Sequence, residues 1–330
     1  MLRYLGFRLL NAIPTLLAIS VVAFFIIQLP PGDFLTTQMQ ALEAQGESAD
    51  PALIEALRQR YGIGDPFWVQ YWKWISGIVF YGDFGLSFQY QRPVSDLIAE
   101  RLPLTLLLGI STMLVTWLIA LPAGIYSAIK QRKAPDYVIS TIGFIALATP
   151  NFMAALALAF IGFQFFGQSV GGLFSPEYVD APWSLAKFGD LLAHLWIPVV
   201  VLALAGTAGI IRTMRANLLD ELNKPYVTTA RAKGLPERIV IRRYPVRIAM
   251  NPFVSTAGWS LPQLFDGEVI VAVVLSLGTT GPLLLAALKS QDMYLAGGII
   301  LIVATLTVVG TLLSDLLLAA VDPRVRFGKA

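Results

Sequence analysis

The sequence predicts an all-α integral membrane protein built as one domain over 1–330. It would carry six transmembrane helices, a long polar insert after the first helix, and a basic loop between the fourth and fifth. Three observations lead there. The 330 residues are 56% hydrophobic and 14% charged, with a mean hydropathy of +0.68, whereas soluble domains carry roughly 25% charged residues. Apolar runs long enough to cross a hydrocarbon core recur along the chain. The basic residues are also sorted. Of the 24 Lys and Arg, only Arg58, Arg60, Lys73, Arg92, Arg101, Lys187 and Lys289 fall on the outer side of this arrangement, which places both termini inside. The same sorting accounts for the net charge of +3 without nucleic acid, because the basic residues flank apolar spans. Zero Cys and one His remove a disulfide frame, a Cys nucleophile and a His/Cys metal cage.

Arg3 and Arg8 precede an apolar run from about Leu9 to Leu29. No small-x-small cleavage site follows it, so it reads as a first transmembrane helix and not as a signal peptide. Residues 31–101 form the polar insert, rich in acid from Asp33 to Glu100. Within it, 38–50 lacks periodicity and reads as loop, and Asp50 or Pro51 opens a short helix through Arg60. Asp65 to Phe80 carries Phe67, Trp68, Tyr71, Trp72 and Trp74. That density fits a helix lying in the outer membrane interface; an aromatic platform for sugars or peptides is the alternative.

The second span runs from about Leu104 to Ala128 and ends inside at Lys130, Arg132 and Lys133. The third, Tyr137 to Phe166, is tilted or kinked at Pro150. An external loop follows over 171–189, and the fourth span covers about Leu191 to Ile211. His194, near its outer end beside Trp196, reads as an interfacial residue, and one His is not a metal site. The fifth and sixth spans cover about Phe253 to Leu277 and Tyr294 to Val321.

The loop over 212–252 holds Arg212, Arg215, Lys224, Arg231, Lys233, Arg238, Arg242, Arg243 and Arg247. Charge alone says only that it is cytoplasmic. Its pattern says more. Helical periodicity over Leu218 to Ala232 is interrupted only at Pro225, Gly234 supplies a cap that tolerates no bulky side chain, and Pro236 opens a second short helix. Two acids, Asp266 and Glu268, stand inside the fifth apolar run. Ionisable groups at membrane depth are functional candidates by default. Their spacing of two cannot share a helical face, and Gly267 and Pro262 point to a local break.

The string Tyr226-Val227-Thr228-Thr229-Ala230-Arg231-Ala232-Lys233-Gly234 resembles the Glu-Ala-Ala-x-x-x-Gly loop of ABC importer permeases, in the version of the dipeptide/oligopeptide/nickel class. Arg247, Ala249 and Pro252 downstream fall where that class has the same residues. So do Pro31-Gly32-Asp33, Tyr81-Gly82-Asp83-Phe84-Gly85-x-Ser87, Arg92-Pro93-Val94, Asp315 and Asp322-Pro323-Arg324. Two departures stand out. Thr228 replaces the Glu of many importers, as is usual in this class. Asp266-Gly267-Glu268 stands where the class tends to have Gly-Gly, with Ala272 in place of a Glu.

The resemblance covers nearly the whole chain. It implies a permease subunit of a binding-protein-dependent importer in the bacterial inner membrane, with 31–101 as a periplasmic insert and 212–252 as the coupling-helix loop. A homologous second permease, two ABC ATPase subunits and a periplasmic substrate-binding protein would complete the machine. The chain itself would bind no cofactor: no G-x-x-x-x-G-K-[ST], H-E-x-x-H or G-x-S-x-G occurs, so ATP and Mg would sit on the partner ATPases and this subunit is not an enzyme. The solute implied by class is di- or oligopeptide-like. The outer aromatics and altered fifth span make an oligosaccharide the runner-up, and opines and nickel complexes are carried by the same architecture. Asp266 and Glu268 would line the translocation path, or else mark a helix break satisfied between two permeases. Asp315 would contact a basic loop. A proton-coupled secondary transporter relaying through Asp266 and Glu268 is the rival, but no repeated pair of broken helices is visible. A membrane enzyme using those acids lacks any ligand set or nucleophile.

Overall fold

A computed structural model describes residues 2–28, 65–167, 171–254 and 269–321, excluding the side chains of 2–9, 26, 27, 205 and 315–321. The chain separates into two compact units, Met1–Leu104 with Thr279–Val309, and Thr105–Gly278 with Gly310–Ala330. Helices dominate both. Among the described residues, three helices, Val94–Ile129, Leu185–Leu204 and Met293–Ser314, are long and apolar enough to cross a membrane, and a bent helix pair would make a fourth only if its two halves form one span. The fifth span expected from the sequence lies largely outside the described residues, as do the expected loop over 38–50 and the helix to Arg60.

In the first unit, α1 (Leu2–Gln28) packs against α2 (Phe67–Ser76). The aromatic run of the insert divides between two faces. Tyr71 and Trp74 are buried against Phe24, whose ring stacks on Trp74 at 5.3 Å and meets Tyr71 edge-on at 5.7 Å. Ser20 Oγ lies 2.8 Å from the Tyr71 hydroxyl. Trp68 and Trp72 stay 65% and 64% exposed on the other face. The cluster is therefore first a helix-to-helix glue, and only its outer half is available to an interface or a solute.

After a π-helical turn (Gly77–Tyr81), a two-stranded hairpin pairs β1 (Leu86–Ser87) with β2 (Arg92–Pro93). It explains the Tyr-Gly-Asp-Phe-Gly-x-Ser string. Gly85 has φ +89, and a Cβ there would meet the Tyr294 ring at 2.7 Å, so both conformation and space demand glycine. The Asp83 carboxylate accepts from the Gly85 N–H at 2.8 Å. Ser87 Oγ donates at 2.6 Å to Asp292, which also accepts from the N–H groups of Gln89 and Leu295. Asp292 is fully buried, and burial pushes its carboxyl above the usual carboxylate range against the pull of these donors. Further helices of this unit are the start of α3 (Val94–Ile129), α10 (Thr280–Lys289) and α11 (Met293–Val321) as far as Val309.

In the second unit the third expected span is not merely kinked. It is two helices, α4 (Ala134–Ala148) and α5 (Asn151–Phe166), at 100° to each other. Thr149 and Pro150 take extended backbone, and Pro150 caps α5, so the residue before the proline leaves the helix as its ring requires. α6 (Leu185–Leu222) then runs 38 residues, starting before and ending after the span expected from hydropathy. Ser184 caps its N-terminus by accepting from the Lys187 N–H at 3.2 Å. His194 packs inward. It is 8% exposed, with Nδ1 2.8 Å from the Asp190 carbonyl oxygen. α4 and α5 both pack on α6.

Candidate functional site

Three short helices follow α6: α7 (Pro225–Ala232), α8 (Glu237–Arg243) and α9 (Pro245–Ala249). Each begins at or just after a proline, which fits N1 or the position before it because no N–H is needed there. Periodicity breaks where expected, with α6 closing at Leu222 and Pro225 opening α7. Gly234, two residues past the end of α7, has φ +73 and donates its N–H to the Arg231 carbonyl at 2.9 Å. A Cβ added at Gly234 would meet nothing within 4 Å. The expectation that bulk is excluded there is corrected: the backbone conformation, not space, selects glycine.

A small core holds α7 to α8. Val227, Ala230 and Val240 are buried, with Tyr226, Leu235 and Tyr244 packed around them. A second core seats α9 on α6, where Ala249 and Phe253 pack with Met214 and Leu218. The sequence-derived site residues therefore split by role. Thr228, Thr229, Arg231, Lys233 and Gly234 are exposed. Ala230 is the inward anchor of α7. Tyr226 is half-buried and donates its hydroxyl to the Glu221 carboxylate; burial, then that carboxylate, push the phenol above its ordinary range. Arg231 reaches across the Gly234 turn to Glu237, with N···O distances of 2.7 and 3.1 Å, and the guanidinium holds the Glu237 carboxyl below its ordinary value. The motif thus presents a polar face on a helix that is fixed at both ends.

Arg247 points elsewhere, into an open cleft of about 580 Å³ shared with Arg238, Ile239, Arg242 and Arg243. Asp266, Glu268, Asp322 and Arg324 lie outside the described residues. Asp315 falls within α11, but its side chain is among those not described.

The sequence reading missed the ion pair that fixes the base of this assembly. Asp136, in the first turn of α4, is 4% exposed and takes Arg215 of α6 in a two-point contact, Nε–Oδ1 2.8 Å and an NH2 group to Oδ2 at 2.9 Å. Ser127, from the last turn of α3, donates to the same carboxylate, as does the Arg132 N–H at 2.9 Å. One carboxylate thereby ties three helices. The signal was present as an acid in a helix first turn directly after a basic turn, Lys130 to Lys133. It was hidden because Arg215 counted only as a topological marker.

The family model described as binding-protein-dependent transport system inner membrane component matches residues 120–327. The chain belongs to that family. A companion model for the N-terminal part of such membrane components matches 1–109 of this permease. The oligopeptide transport system permease protein AppB of Bacillus subtilis (strain 168) is 36% identical over 99% of this permease and 100% of its own length. The glutathione transport system permease protein GsiC of Escherichia coli (strain K12) is 33% identical over 99% and 100%. These matches bear out the resemblance, read from Tyr226 to Gly234 and the flanking strings, to ABC importer permeases of the peptide class. Among solved structures, a chain of the inward-facing MetNI methionine ABC transporter superposes with TM-score 0.55 at 16% identity, covering 68% of this permease and 96% of that chain. At that identity it shows the shared fold.

Proposed function

We propose that this permease forms, with a homologous second permease, the pathway of an ATP-driven importer for di- or oligopeptide-like solutes. Both termini and the loop over 212–252 would lie in the cytoplasm, and six spans would cross the inner membrane. A periplasmic binding protein would deliver the solute, and two ATPase subunits carrying ATP and Mg would drive alternating access. The observation that carries this reading is α7: a short helix with an exposed polar face, closed by a left-handed glycine and packed through α8 and α9 onto α6. Such a piece can be pushed as a rigid body and can pass that push to a long helix. The peptide class is supported by what the relatives are named for.

The test is purification of the tagged permease from its native host in mild detergent, with mass spectrometry of what accompanies it. A second permease and P-loop ATPases are expected, with uptake of labelled di- or tripeptides that stops on ATP depletion. Recovery of the chain alone, with flux collapsed by an uncoupler, would return the function to a proton-coupled carrier. In the complex, Gly234→Pro removes both the positive φ and the N–H donor and is expected to uncouple ATP hydrolysis from uptake. Gly234→Asn, which tolerates that φ, is expected to retain coupling.

A further inference from the structure

We infer that the arginine cleft beside the coupling helices binds the phosphate headgroup of an anionic phospholipid in the cytoplasmic leaflet. The cleft, about 580 Å³, is lined by Arg238, Ile239, Arg242, Arg243 and Arg247. Arg238 and Arg242 are one turn apart on α8, and the turn at Tyr244 and Pro245 brings Arg247 of α9 to the same cavity. Of the other loop arginines, Arg215 is paired with Asp136 and Arg231 with Glu237, while Arg212 stands over the Phe144 ring. Among the described residues, no carboxylate lies within ion-pair distance of any of the four cleft arginines. Four guanidinium groups around one cavity repel one another unless an anion joins them, and phosphate oxygens match their forked donors.

Depth and apolar surface decide for a lipid. The apolar run of α6 ends at Ile211, followed by Arg212. α9 packs on Met214 and Leu218, which at 1.5 Å per residue stand roughly 5 and 10 Å beyond that end. The first lies within the headgroup layer, about 5–7 Å deep, and the second just past its outer edge. Ile239 inside the cleft and Ile248 on α9 are 45% and 43% exposed, apolar contacts that suit an acyl chain more than water.

The inference rests on the cytoplasmic placement of the loop and not on what grips α7. The test titrates the purified full complex in detergent with short-chain phosphatidylglycerol, short-chain phosphatidylcholine or inorganic phosphate, counting bound molecules by native mass spectrometry. Wild-type complex is expected to prefer phosphatidylglycerol. Arg238→Gln with Arg242→Gln should weaken that binding about 25-fold, fivefold per arginine for about 1 kcal/mol each. Arg238→Lys with Arg242→Lys should keep most of it. Equal binding of the two lipids by the wild type, or binding unchanged in the Gln variant, would overturn the inference. Free phosphate displacing the lipid at equal concentration would overturn it too, as a plain anion site. ATPase subunits should co-purify in unchanged ratio with every variant. If they are absent from the wild type as well, the coupling reading fails while the lipid preference is still measured.

Discussion

Two buried aspartates solve the same problem differently. Asp292, in the first unit, accepts from a serine hydroxyl and from the backbone N–H groups of Gln89, Leu295 and Phe88, and among the described residues it has no cation within ion-pair reach. Asp136, in the second, accepts from a serine hydroxyl and one backbone N–H, and it adds the two-point contact with Arg215. The first pins a hairpin to the start of a helix, a local closure in which dipoles suffice. The second joins three helices at the base of the loop over 212–252, where a guanidinium can reach between elements that backbone groups cannot bridge. The difference teaches what reach requires: the charged knot sits where three separate helices are joined at one point.

Removing one side of the charged knot is the largest test. Asp136→Ala leaves Arg215 and the buried Ser127 without their acceptor. Breaking a buried pair from one side costs about 3–5 kcal/mol; with the Arg215 side chain 30% exposed, we expect about 2–3 kcal/mol, read as denaturant midpoint in detergent. Asp136→Leu combined with Arg215→Met should be milder than either single change. If the double change is as damaging as the sum, the two residues act independently and the knot is not the unit described.

Asp292→Ala should cost about 2 kcal/mol by orphaning the backbone N–H groups it receives and the Ser87 hydroxyl. Asp292→Asn sharpens the comparison through pH. The folded-state pKa of Asp292 is raised, so its contribution is fullest below the ordinary carboxylate value and declines as pH rises through the raised one. The wild-type advantage over Asp292→Asn should therefore shrink from pH 4 towards pH 8, and a growing advantage would mean a cation has been missed.

Glu237→Gln should have the smallest effect, under about 0.5 kcal/mol, since both partners are roughly half exposed. Its sign is opposite to that of Asp292. The Glu237 pKa is lowered, so its contribution is present at neutral pH and fades as pH falls through the lowered value.

The helical class and the boundaries of the loop's short helices were legible because hydropathy and glycine–proline punctuation are local signals. Pro225, Gly234 and Pro236 each mark a boundary the structure keeps. What escaped was nonlocal. Asp136 and Arg215 are 79 residues apart, and Ser87 and Asp292 are 205, so nothing in either neighbourhood announces the partner. The 100° turn at Pro150 escaped for another reason: a proline between two apolar stretches is compatible with a kinked span and with two helices, and packing of both α4 and α5 on α6 decides. The Gly234 reading erred on sterics because sequence reports that a glycine is present, not whether φ or space selects it.

α6 gives the second unit a lever. Thirty-eight helical residues at 1.5 Å each make a rod of about 57 Å, with Arg215 clamped near one end and His194 buried near the other. Rotating such a rod by about 5° around one end displaces the far end by about 5 Å. A tilt of that size about the Arg215 clamp leaves the loop end in place and moves the His194 end by about the spacing between two neighbouring β-strands.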